Sequence, residues 1–352
     1  MPKKTRRKGG RIIGKGAYGC VYKPAMRCSG ETARRPGISK LLTKSEANAE
    51  WDQTQLLRNS LDRDMSFTVY PQSRCEPRLS PSREEETEDK ASGSCDIPGA
   101  NSLVISPDGG VTLEKWRPLN GREMEVALFN LFVGLLVLHT GDLVHQDIKE
   151  DNALVKEGRA RWIDFGMMRN LNEMFQDKKG TARYTMKTGW PGFASSHLPP
   201  DSWMLHGNFD SGTVLMDPRM VRTAIVLHMR NHKDEALRIH SVDEPYLKLL
   251  ETVYSWTVKN PGLAAKAVDV FQMGRLVSRV KDELSPAIWS GLRPLVDQMM
   301  DRDPRKRPTM FTALGAYSKV VKPAGAVPLQ PAPTTAIPKR QVVANPLCGI
   351  RG

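Results

Sequence analysis

Asp147, Lys149 and Asn152 place a carboxylate, an ammonium group and an amide in one short stretch, His-Gln-Asp-Ile-Lys-Glu-Asp-Asn. A further carboxylate, Asp164, follows in the sequence Asp-Phe-Gly. Carboxylate and amide oxygens are ligands that Mg²⁺ accepts, together with phosphate oxygens. Asn152 and Asp164 therefore form a candidate magnesium site if the fold brings them together.

The residues between Asn152 and Asp164 predict how the two can meet. Ala153–Lys156 and Ala160–Ile163 alternate like two short strands, and Glu157-Gly-Arg reads as the turn between them. Because an antiparallel hairpin brings its outer ends together, we expect Asn152 and Asp164 to lie side by side.

The two motifs resemble the catalytic loop and the Asp-Phe-Gly motif of the eukaryotic-type protein kinases. The resemblance implies that Asp147 accepts the proton of the substrate hydroxyl and that Lys149 neutralises charge on the transferring γ-phosphoryl group of ATP. Asn152 and Asp164 would bind Mg²⁺. Lys149, two residues after Asp147, is typical of the Ser/Thr kinases, so the implied acceptors are Ser and Thr hydroxyls of protein substrates.

The same resemblance implies an α+β protein with the two-lobed protein kinase fold. Such a fold has a small N-lobe built on an antiparallel sheet and a larger, mainly helical C-lobe, and 352 residues suffice for both. We expect a basic disordered arm at 1–11, the N-lobe at 12–106 with an insertion at 71–100, the C-lobe at 107–321 with an insertion at about 202–268, and a Pro-rich disordered tail at 322–352. The second insertion is equally consistent with a docking surface and with filler helices.

A glycine-rich string, Gly14-Lys-Gly-Ala-Tyr-Gly19-Cys-Val21, lies near the N-terminus. Dinucleotide sites share this spacing, but there a helix begins at the third glycine. Here a strand-like run follows, and Pro24 stops any helix soon after. Strand, glycine turn and strand resemble the kinase arrangement, in which glycines let the backbone lie close over the phosphates of ATP.

The kinase resemblance also requires a lysine on the third strand and a glutamate on the helix that follows. Lys40 lies in the apolar run Ile-Ser-Lys-Leu-Leu, and Lys44, outside that run, is the alternative. Glu50 is the better partner for the lysine, and Glu46, one turn earlier on the same helix face, is the alternative. A solvated helix face is a third interpretation. Ser45 is the expected N-cap of this helix.

The nucleotide contacts follow from the resemblance. Val21 would cover the adenine from above, and Leu154, two residues past Asn152, would support it from below. The full set of residues that the resemblance assigns to the nucleotide is Ile13, Gly14, Gly16, Gly19, Val21, Ile38, Lys40, Glu50 and Leu154.

Three later motifs distinguish a protein kinase from small-molecule kinases that share the nucleotide machinery. Pro-Pro-Asp201 resembles Ala-Pro-Glu, and Asp269-Val-Phe-Gln-Met-Gly resembles the start of a central helix whose aspartate steadies the catalytic loop. Asp-Pro-Arg-Lys-Arg307 resembles the late arginine motif, so we expect a partly buried, bidentate ion pair between Arg307 and Asp201. Aspartate replaces the usual glutamate, which puts the closeness of this pair in question.

An apolar helix is predicted from Met124 to Leu138, where large apolar residues recur at helical spacing. We expect it to be buried nearly all round and to run into the catalytic loop. Its uninterrupted apolar run is shorter than the roughly 20 residues of a membrane span, so no membrane is expected. No apolar segment follows the charged N-terminus, so no signal peptide is expected.

Charge and cysteine content bear on partners and compartment. The net charge of +13 favours acidic substrates or polyanionic partners. The basic arm is consistent with nucleic-acid binding, with a nuclear-import signal or with solubility alone. The 5 scattered cysteines predict no disulfide framework and a reducing, intracellular compartment, either cytoplasm or nucleus.

Two rival functions share these motifs: a catalytically inactive pseudokinase scaffold and a small-molecule kinase. The combination of motifs is similar to protein kinases encoded by large DNA viruses, which would imply a host-cell setting. Gln146 replaces the arginine that in the family binds a phosphate of the activation loop. We therefore expect activity that does not depend on phosphorylation of that loop.

Overall fold

The computed structural model describes residues 11–15, 19–31, 36–61, 65–78, 98–174, 199, 201–202 and 244–322. Within them the chain is a mixed α+β protein, as predicted. Its first part forms five strands and one helix: β1 Arg11–Lys15, β2 Gly19–Lys23, β3 Ile38–Thr43, α1 Lys44–Ser60, β4 Ser73–Cys75 and β5 Ala100–Ser106.

The five strands form one antiparallel sheet in the order β1-β2-β3-β5-β4. Val21 of β2 lies opposite Lys40 of β3, and Lys40 lies opposite Val104 of β5. Directly opposed residues of an antiparallel pair point to the same face of the sheet. Because side chains alternate along a strand, Ile38 shares that face with Lys40.

Helix α1 begins with a capping box, and its N-cap lies two residues before the one predicted. Thr43 is the N-cap: its hydroxyl accepts from the backbone N–H of Glu46, and the Glu46 carboxylate accepts from the backbone N–H of Thr43. The expectation of Ser45 as the cap is wrong. A capping box needs Glu or Gln three residues after the N-cap, and the residue three after Ser45 is Asn48.

The remaining part is mainly helical, with short strands around the motifs identified above. The strands are β6 Val111–Thr112, β7 Leu143–Val144, β8 Ala153–Lys156, β9 Arg159–Trp162 and β10 Arg169–Asn170. The helices are α2 Gly121–Thr140, α3 Leu171–Met174, α4 Glu244–Lys259, α5 Pro261–Arg279, α6 Pro286–Met299 and α7 Met310–Val321. Single 3₁₀ turns span Glu150–Asn152, Phe165–Met167 and Lys281–Glu283.

Helix α2 is the centre of the largest apolar core, and its prediction is confirmed. Phe132 stacks on Tyr317 of α7 with ring centroids 4.7 Å apart, and the indole of Trp162 donates to the carbonyl of Leu131 at 3.0 Å. The helix is longer than predicted and, among the described residues, it alone is long and apolar enough to cross a membrane. A buried core helix meets the same criterion, and 56% of its apolar window is buried here.

Several boundaries differ from those predicted. Segment 71–100 contributes β4 to the sheet, so the insertion predicted there starts after β4. The strand was missed because three residues are too few for the alternation of a strand to be recognised. Helix α5 begins at Pro261, well before Asp269, because proline is well tolerated at the first helical position. Helix α4 lies within 202–268, where helices were one of the two interpretations that the sequence allowed. Arg11, which the prediction placed in the disordered arm, belongs to β1. Residues 1–10, 203–243 and 323–352 lie outside the described residues.

The structure contains a disulfide that the sequence analysis did not expect. Cys28 and Cys75 are bonded, with their Cα atoms 5.7 Å apart, and an isolated β-bridge joins Cys28 to Pro77 beside them. Cys20 is disulfide-bonded as well. The expectation of no disulfide framework is therefore wrong, because only the sheet topology brings residues 28 and 75 together. The cysteine pattern consequently gives no support to a reducing compartment.

Candidate active site

The predicted hairpin forms and brings the two motifs together, with β9 starting at Arg159, one residue earlier than predicted. Lys156 pairs with Arg159 across a two-residue turn in which Glu157 and Gly158 have φ angles of 53° and 71°. Glycine adopts such positive φ angles without steric cost, which suits a tight hairpin turn. At the open end, the backbone N–H of Ile163 donates to the carbonyl of Asn152 at 2.9 Å. Asn152 and Asp164 therefore leave the same end of the hairpin.

In the His145–Asn152 loop, the side chains of Lys149 and Asn152 both contact the carboxylate of Asp147. Lys149 Nζ lies 2.9 and 3.1 Å from the two carboxylate oxygens of Asp147. Asn152 Nδ2 donates to Asp147 Oδ2 at 2.6 Å and to the Asp147 carbonyl at 2.9 Å. Asp147 is 8% exposed. With its nitrogen turned to Asp147, Asn152 keeps its amide oxygen to bind a metal.

Asp269 holds the backbone of this loop from beneath, in the way that the resemblance implied. Its side chain is fully buried in α5 and accepts hydrogen bonds from the backbone N–H groups of His145 at 2.7 Å and Gln146 at 2.8 Å. It also lies 3.1 Å from His139 Nε2 at the end of α2. Gln146 has a φ of 66°, a strained value for a residue with a side chain. These bonds stabilise it there.

Gln272, one turn after Asp269 on α5, supports the same loop and was missed by the sequence analysis. Its Nε2 donates to the carbonyl of Gln146 at 3.1 Å, and its Oε1 lies 3.5 Å from the backbone N of Ile148. The available signal was the spacing: residues three apart share a helix face. The Gln146 side chain points into this buried network, donating to the carbonyl of Ala265 at 3.0 Å.

His145 connects the loop to the Asp-Phe-Gly motif. Its ring lies 5.0 Å from the ring of Phe165 and 5.4 Å from that of Trp162. Burial lowers the pKa of His145 below its usual value, against the opposing effect of Asp269, Asp147 and Asp164. The folded chain therefore favours the neutral imidazole.

This burial predicts a pH dependence of stability. A depressed pKa means that the unfolded chain binds more protons, so the free energy of unfolding should fall as pH drops below the unfolded value of about 6.5. The slope for one proton is at most about 1.4 kcal/mol per pH unit. The measurement is denaturant unfolding between pH 5 and pH 8 for wild type and His145→Phe. Parallel curves for the two proteins would contradict this role of His145.

Lys40 and Glu50 form the predicted ion pair, with Lys40 Nζ 2.8 Å from Glu50 Oε2. Burial alone would lower the pKa of Lys40, but the charges of Glu50 and Asp164 and the hydrogen bond to Glu50 raise it above its usual value. The charge of Asp164 therefore acts on Lys40 and couples the Asp-Phe-Gly motif to this pair electrostatically. Glu46 belongs to the capping box, and Lys44 is the first residue of α1, which settles both alternatives of the sequence analysis.

The pair predicts how Lys40 responds to the loss of its partner. Glu50→Gln removes the negative charge that does most to offset the effect of burial, so the pKa of Lys40 should fall. The measurement is the pH dependence of amine acylation at Lys40, followed by mass spectrometry. Glu46→Gln is the matched control and should change the Lys40 titration less, because Glu46 is the weakest of the charges acting on it. Equal shifts in the two variants would contradict the pairing.

The glycines of the predicted glycine-rich loop differ in how tightly their surroundings require glycine. An added Cβ at Gly19 would lie 2.6 Å from the carbonyl oxygen of Leu41 and 2.6 Å from a methyl of Leu42, so the close approach of β2 and β3 requires glycine there. At Gly14 the nearest atoms belong to Val21 at 3.9 Å, which leaves space over that strand. Gly16 lies outside the described residues. Ile13 is 46% exposed beside an irregular step in the β1–β2 register.

The segment 107–110 connects the sheet to the helical part and contains another residue that sequence analysis missed. The Asp108 carboxylate lies 2.9 Å from Lys23 Nζ of β2 and 3.6 Å from Lys156 Nζ of β8. Partial burial would raise the pKa of Asp108, but these lysines and the backbone N–H of Gly110 outweigh it and lower the pKa. Leu154 lies against the same segment, because a Cβ at Gly109 would meet its side chain at 2.5 Å.

Arg307 and Asp201 form the predicted bidentate pair. The guanidinium nitrogens lie 2.6 and 3.0 Å from the two carboxylate oxygens, and the exposed fractions of the two side chains are 0% and 4%. Arg307 also donates to the carbonyls of Ala267 and Asp301 and lies over the ring of Phe271 at 4.9 Å. Aspartate in place of glutamate therefore does not prevent a close pair.

Comparison with known proteins adds no family to this description: no family model matches the chain, and no curated protein matches it.

Proposed function

We propose that this chain is an ATP-dependent serine/threonine protein kinase. The observation that carries the proposal is the carboxylate of Asp147, which Lys149 and Asn152 orient. It lies on a loop whose backbone is hydrogen-bonded to Asp269. A polar surface loop would need neither a buried acceptor for its backbone N–H groups nor a carboxylate oriented by two donors. Preorganised polar groups of this kind are the usual means by which a site stabilises developing charge.

The fold of the described residues supports the two-lobed kinase architecture within this proposal. A small antiparallel sheet with a single helix precedes a mainly helical part, and the Lys40–Glu50 pair joins the sheet to that helix. The buried Arg307–Asp201 pair supports a protein kinase over a kinase of small molecules, because it corresponds to the late motifs that the resemblance assigns to protein kinases.

The donor set fits ATP and Mg²⁺. Asn152 and Asp164 would hold the metal with an amide oxygen and a carboxylate, which are hard oxygen ligands that suit Mg²⁺. Among the residues that the structure describes, no group of three or more His, Cys, Asp and Glu side chains could hold a metal by itself. A site with two protein ligands agrees with Mg²⁺, which binds one or two carboxylates and completes its shell with phosphates and water.

Each of the site residues would then have a defined role in the transfer. When bound, Mg·ATP supplies the phosphoryl group and the divalent charge. Lys40, held by Glu50, would contact the phosphates of the nucleotide. Asp147, oriented by its bonds to Lys149 and Asn152, would hold the acceptor hydroxyl and take its proton on a carboxylate oxygen.

The adenine would lie on the sheet face that carries Lys40. Val21 and Ile38 share this face, and Leu154 lies on β8 against the segment that connects the two parts of the chain. Apolar residues above and below a flat ring are typical of a cofactor pocket in which a few polar groups fix the orientation. Gly14 and Gly19 would let the backbone approach the phosphates, with Gly16 between them.

The proposal is tested by incubating the protein with labelled ATP and Mg²⁺, in parallel with a generic basic protein and with a mixture of small-molecule acceptors. We expect label on Ser and Thr of the protein acceptor. Label only on a small molecule would indicate a small-molecule kinase. Binding of ATP without transfer to any acceptor would indicate a pseudokinase scaffold, and either result would contradict the proposal.

Gln146 leads to a prediction about regulation. Its side chain is bonded within the core, to Ala265 and Asp269, so it does not offer the cation that an activation-loop phosphate would need. We expect that replacing Thr181, Tyr184, Thr185 and Thr188 together by unphosphorylatable residues changes the transfer rate less than about tenfold. These four residues lie outside the described part of the chain. A larger loss in a steady-state kinase assay would contradict the prediction.

The proposal extends to setting and partners. A protein substrate is implied, and the basic arm at 1–11 would add attraction to nucleic acid or to an acidic partner. The similarity to kinases of large DNA viruses would place the activity inside a host cell, in cytoplasm or nucleus.

A further inference from the structure

Three charged side chains join the first sheet, the connecting segment 107–110 and the helical part of the chain. The carboxylate of Asp108 lies 2.9 Å from Nζ of Lys23 on β2 and 3.6 Å from Nζ of Lys156 on β8. Lys156 Nζ also donates to the carbonyl of Asp108 at 3.2 Å. Because β2 and β8 belong to different sheets, Asp108 links two strands that do not pair with each other.

The positions of the two lysines relate this cluster to the proposed nucleotide site. Side chains alternate along a strand, so Lys23 shares a face of β2 with Val21. For the same reason Lys156 shares a face of β8 with Leu154. Val21 and Leu154 are the residues proposed to lie above and below the adenine. Each lysine therefore lies next to one of these two apolar walls, on the same face of its strand.

Close backbone packing holds the connecting segment against β8. Gly110 has a φ of 97°, and an added Cβ there would meet the carbonyl oxygen of Val155. An added Cβ at Gly109 would lie 2.5 Å from the side chain of Leu154. The Asp108 carboxylate accepts from the backbone N–H of Gly110 at 3.1 Å, which orients it. Asp108 and the lower wall of the adenine site are therefore fixed relative to each other.

The upper wall is connected to this segment through the sheet by a longer route. In the order β1-β2-β3-β5-β4, β3 lies between β2 and β5, the strand that leads into the segment. The last pair of β5 with β3 is Ser106 with Ile38. The ion pair between Lys23 and Asp108 joins β2 directly to the residue two positions after Ser106. This contact therefore restrains the distance between the strand of Val21 and the segment that packs on β8.

We propose that Asp108 is a positioning residue of the nucleotide site, which sets the separation of Val21 and Leu154 through Lys23 and Lys156. The inference rests on the nucleotide site of the proposed function and adds to it a residue that acts through others. A pocket whose width is set before binding has less conformational freedom to lose when the ligand enters. The exposed fractions of the Asp108 and Lys23 side chains are 25% and 48%, so the expected effect is modest.

The test measures the affinities of the full-length protein for adenosine and for Mg·ATP by calorimetry, together with steady-state transfer to a generic basic protein. Adenosine is uncharged, so it reports on the apolar walls without a direct effect of charge. We expect Asp108→Asn to weaken both ligands and to raise the KM for ATP by about threefold to tenfold, with kcat within about twofold of wild type. Asparagine keeps an oxygen for the N–H of Gly110, so the segment should keep its turn.

Variants of Lys23 separate the proposed link from other effects. Lys23→Gln should also weaken adenosine, and the double variant with Asp108→Asn should bind no more weakly than Asp108→Asn, because both changes break the same link. Lys23→Arg keeps a cation within reach and should restore the wild-type affinity.

Lys266→Gln on α5 is the matched control, because the ion pair of Lys266 with Asp142 has the same distance of 2.9 Å and the same two exposed fractions, 25% and 48%. It should leave the affinity for adenosine as in wild type. Thermal unfolding should show that every variant is folded at the temperature of the measurement.

An unchanged affinity for adenosine in Asp108→Asn, or a further loss in the double variant, would overturn the inference. Tighter binding of Mg·ATP with unchanged adenosine would overturn it too, because it would show a carboxylate that only repels the phosphates. A fall in kcat at unchanged KM would have the same consequence. None of these results contradicts the kinase proposal.

The kinase proposal has separate outcomes in the same experiment. Wild type that binds adenosine and Mg·ATP but transfers no phosphate would contradict the kinase proposal alone, because the adenosine affinities would still test Asp108. Wild type that binds neither ligand would overturn both.

Discussion

Replacing Asp147 by Asn is expected to lower the rate of phosphoryl transfer by about a hundredfold to ten-thousandfold, the usual contribution of a positioned general base. The amide keeps the size of the side chain and one oxygen acceptor for Lys149 and Asn152, so the loop should keep its shape. It cannot take a proton from the acceptor hydroxyl. The measurement is the single-turnover rate, with the affinity for Mg·ATP determined separately by calorimetry.

The affinity for Mg·ATP should stay within about twofold of wild type, since the variant removes a group that acts on the acceptor and not on the nucleotide. Asp297→Asn, an exposed carboxylate on α6, is the control and should have the wild-type rate. If Asp147→Asn retained more than about a tenth of the wild-type rate, another group would be the base.

Replacing Arg307 by Met is expected to lower the free energy of unfolding by about 3–5 kcal/mol, because it leaves the buried carboxylate of Asp201 without its counter-charge. Arg307 is fully buried, and its bonds join Asp201 to α5 and to the segment before α7. Methionine fills much of the same volume but offers no donor. The measurement is equilibrium denaturation in urea, with the stability taken at zero denaturant.

A double variant, Arg307→Met with Asp201→Leu, tests whether the loss comes from the unpaired charge. Replacing both partners of a buried pair by apolar residues is often close to neutral, so the double variant should recover most of the lost stability. Arg293→Met is the exposed control, and breaking its surface pair should cost at most about 1 kcal/mol. A double variant as unstable as Arg307→Met would show that packing, not charge, explains the loss.

The parts of the site that sequence alone predicted depend on local patterns or on the family resemblance. The β8–β9 hairpin follows from alternation and a turn, and it brings Asn152 and Asp164 to one end without knowledge of the rest of the fold. The Lys40–Glu50 and Arg307–Asp201 pairs were predicted from the kinase resemblance, and the structure contains both ion pairs.

The parts that were missed depend on topology or on very short elements. The spacing of Cys28 and Cys75 does not indicate that they meet, because the contact arises where the segment after β2 passes the end of β4. Strand β4 spans three residues, too few to show a period.

The central claim is that the open end of the β8–β9 hairpin holds a metal–nucleotide complex beside Asp147. A crystal structure of the protein with Mg²⁺ and a non-hydrolysable ATP analogue tests it most directly. We predict Mg²⁺ at about 2.0–2.1 Å from oxygens of Asn152 and Asp164, with the nucleotide phosphates near Lys40. Nucleotide bound elsewhere, or a metal held by other residues at full ligand occupancy, would contradict it.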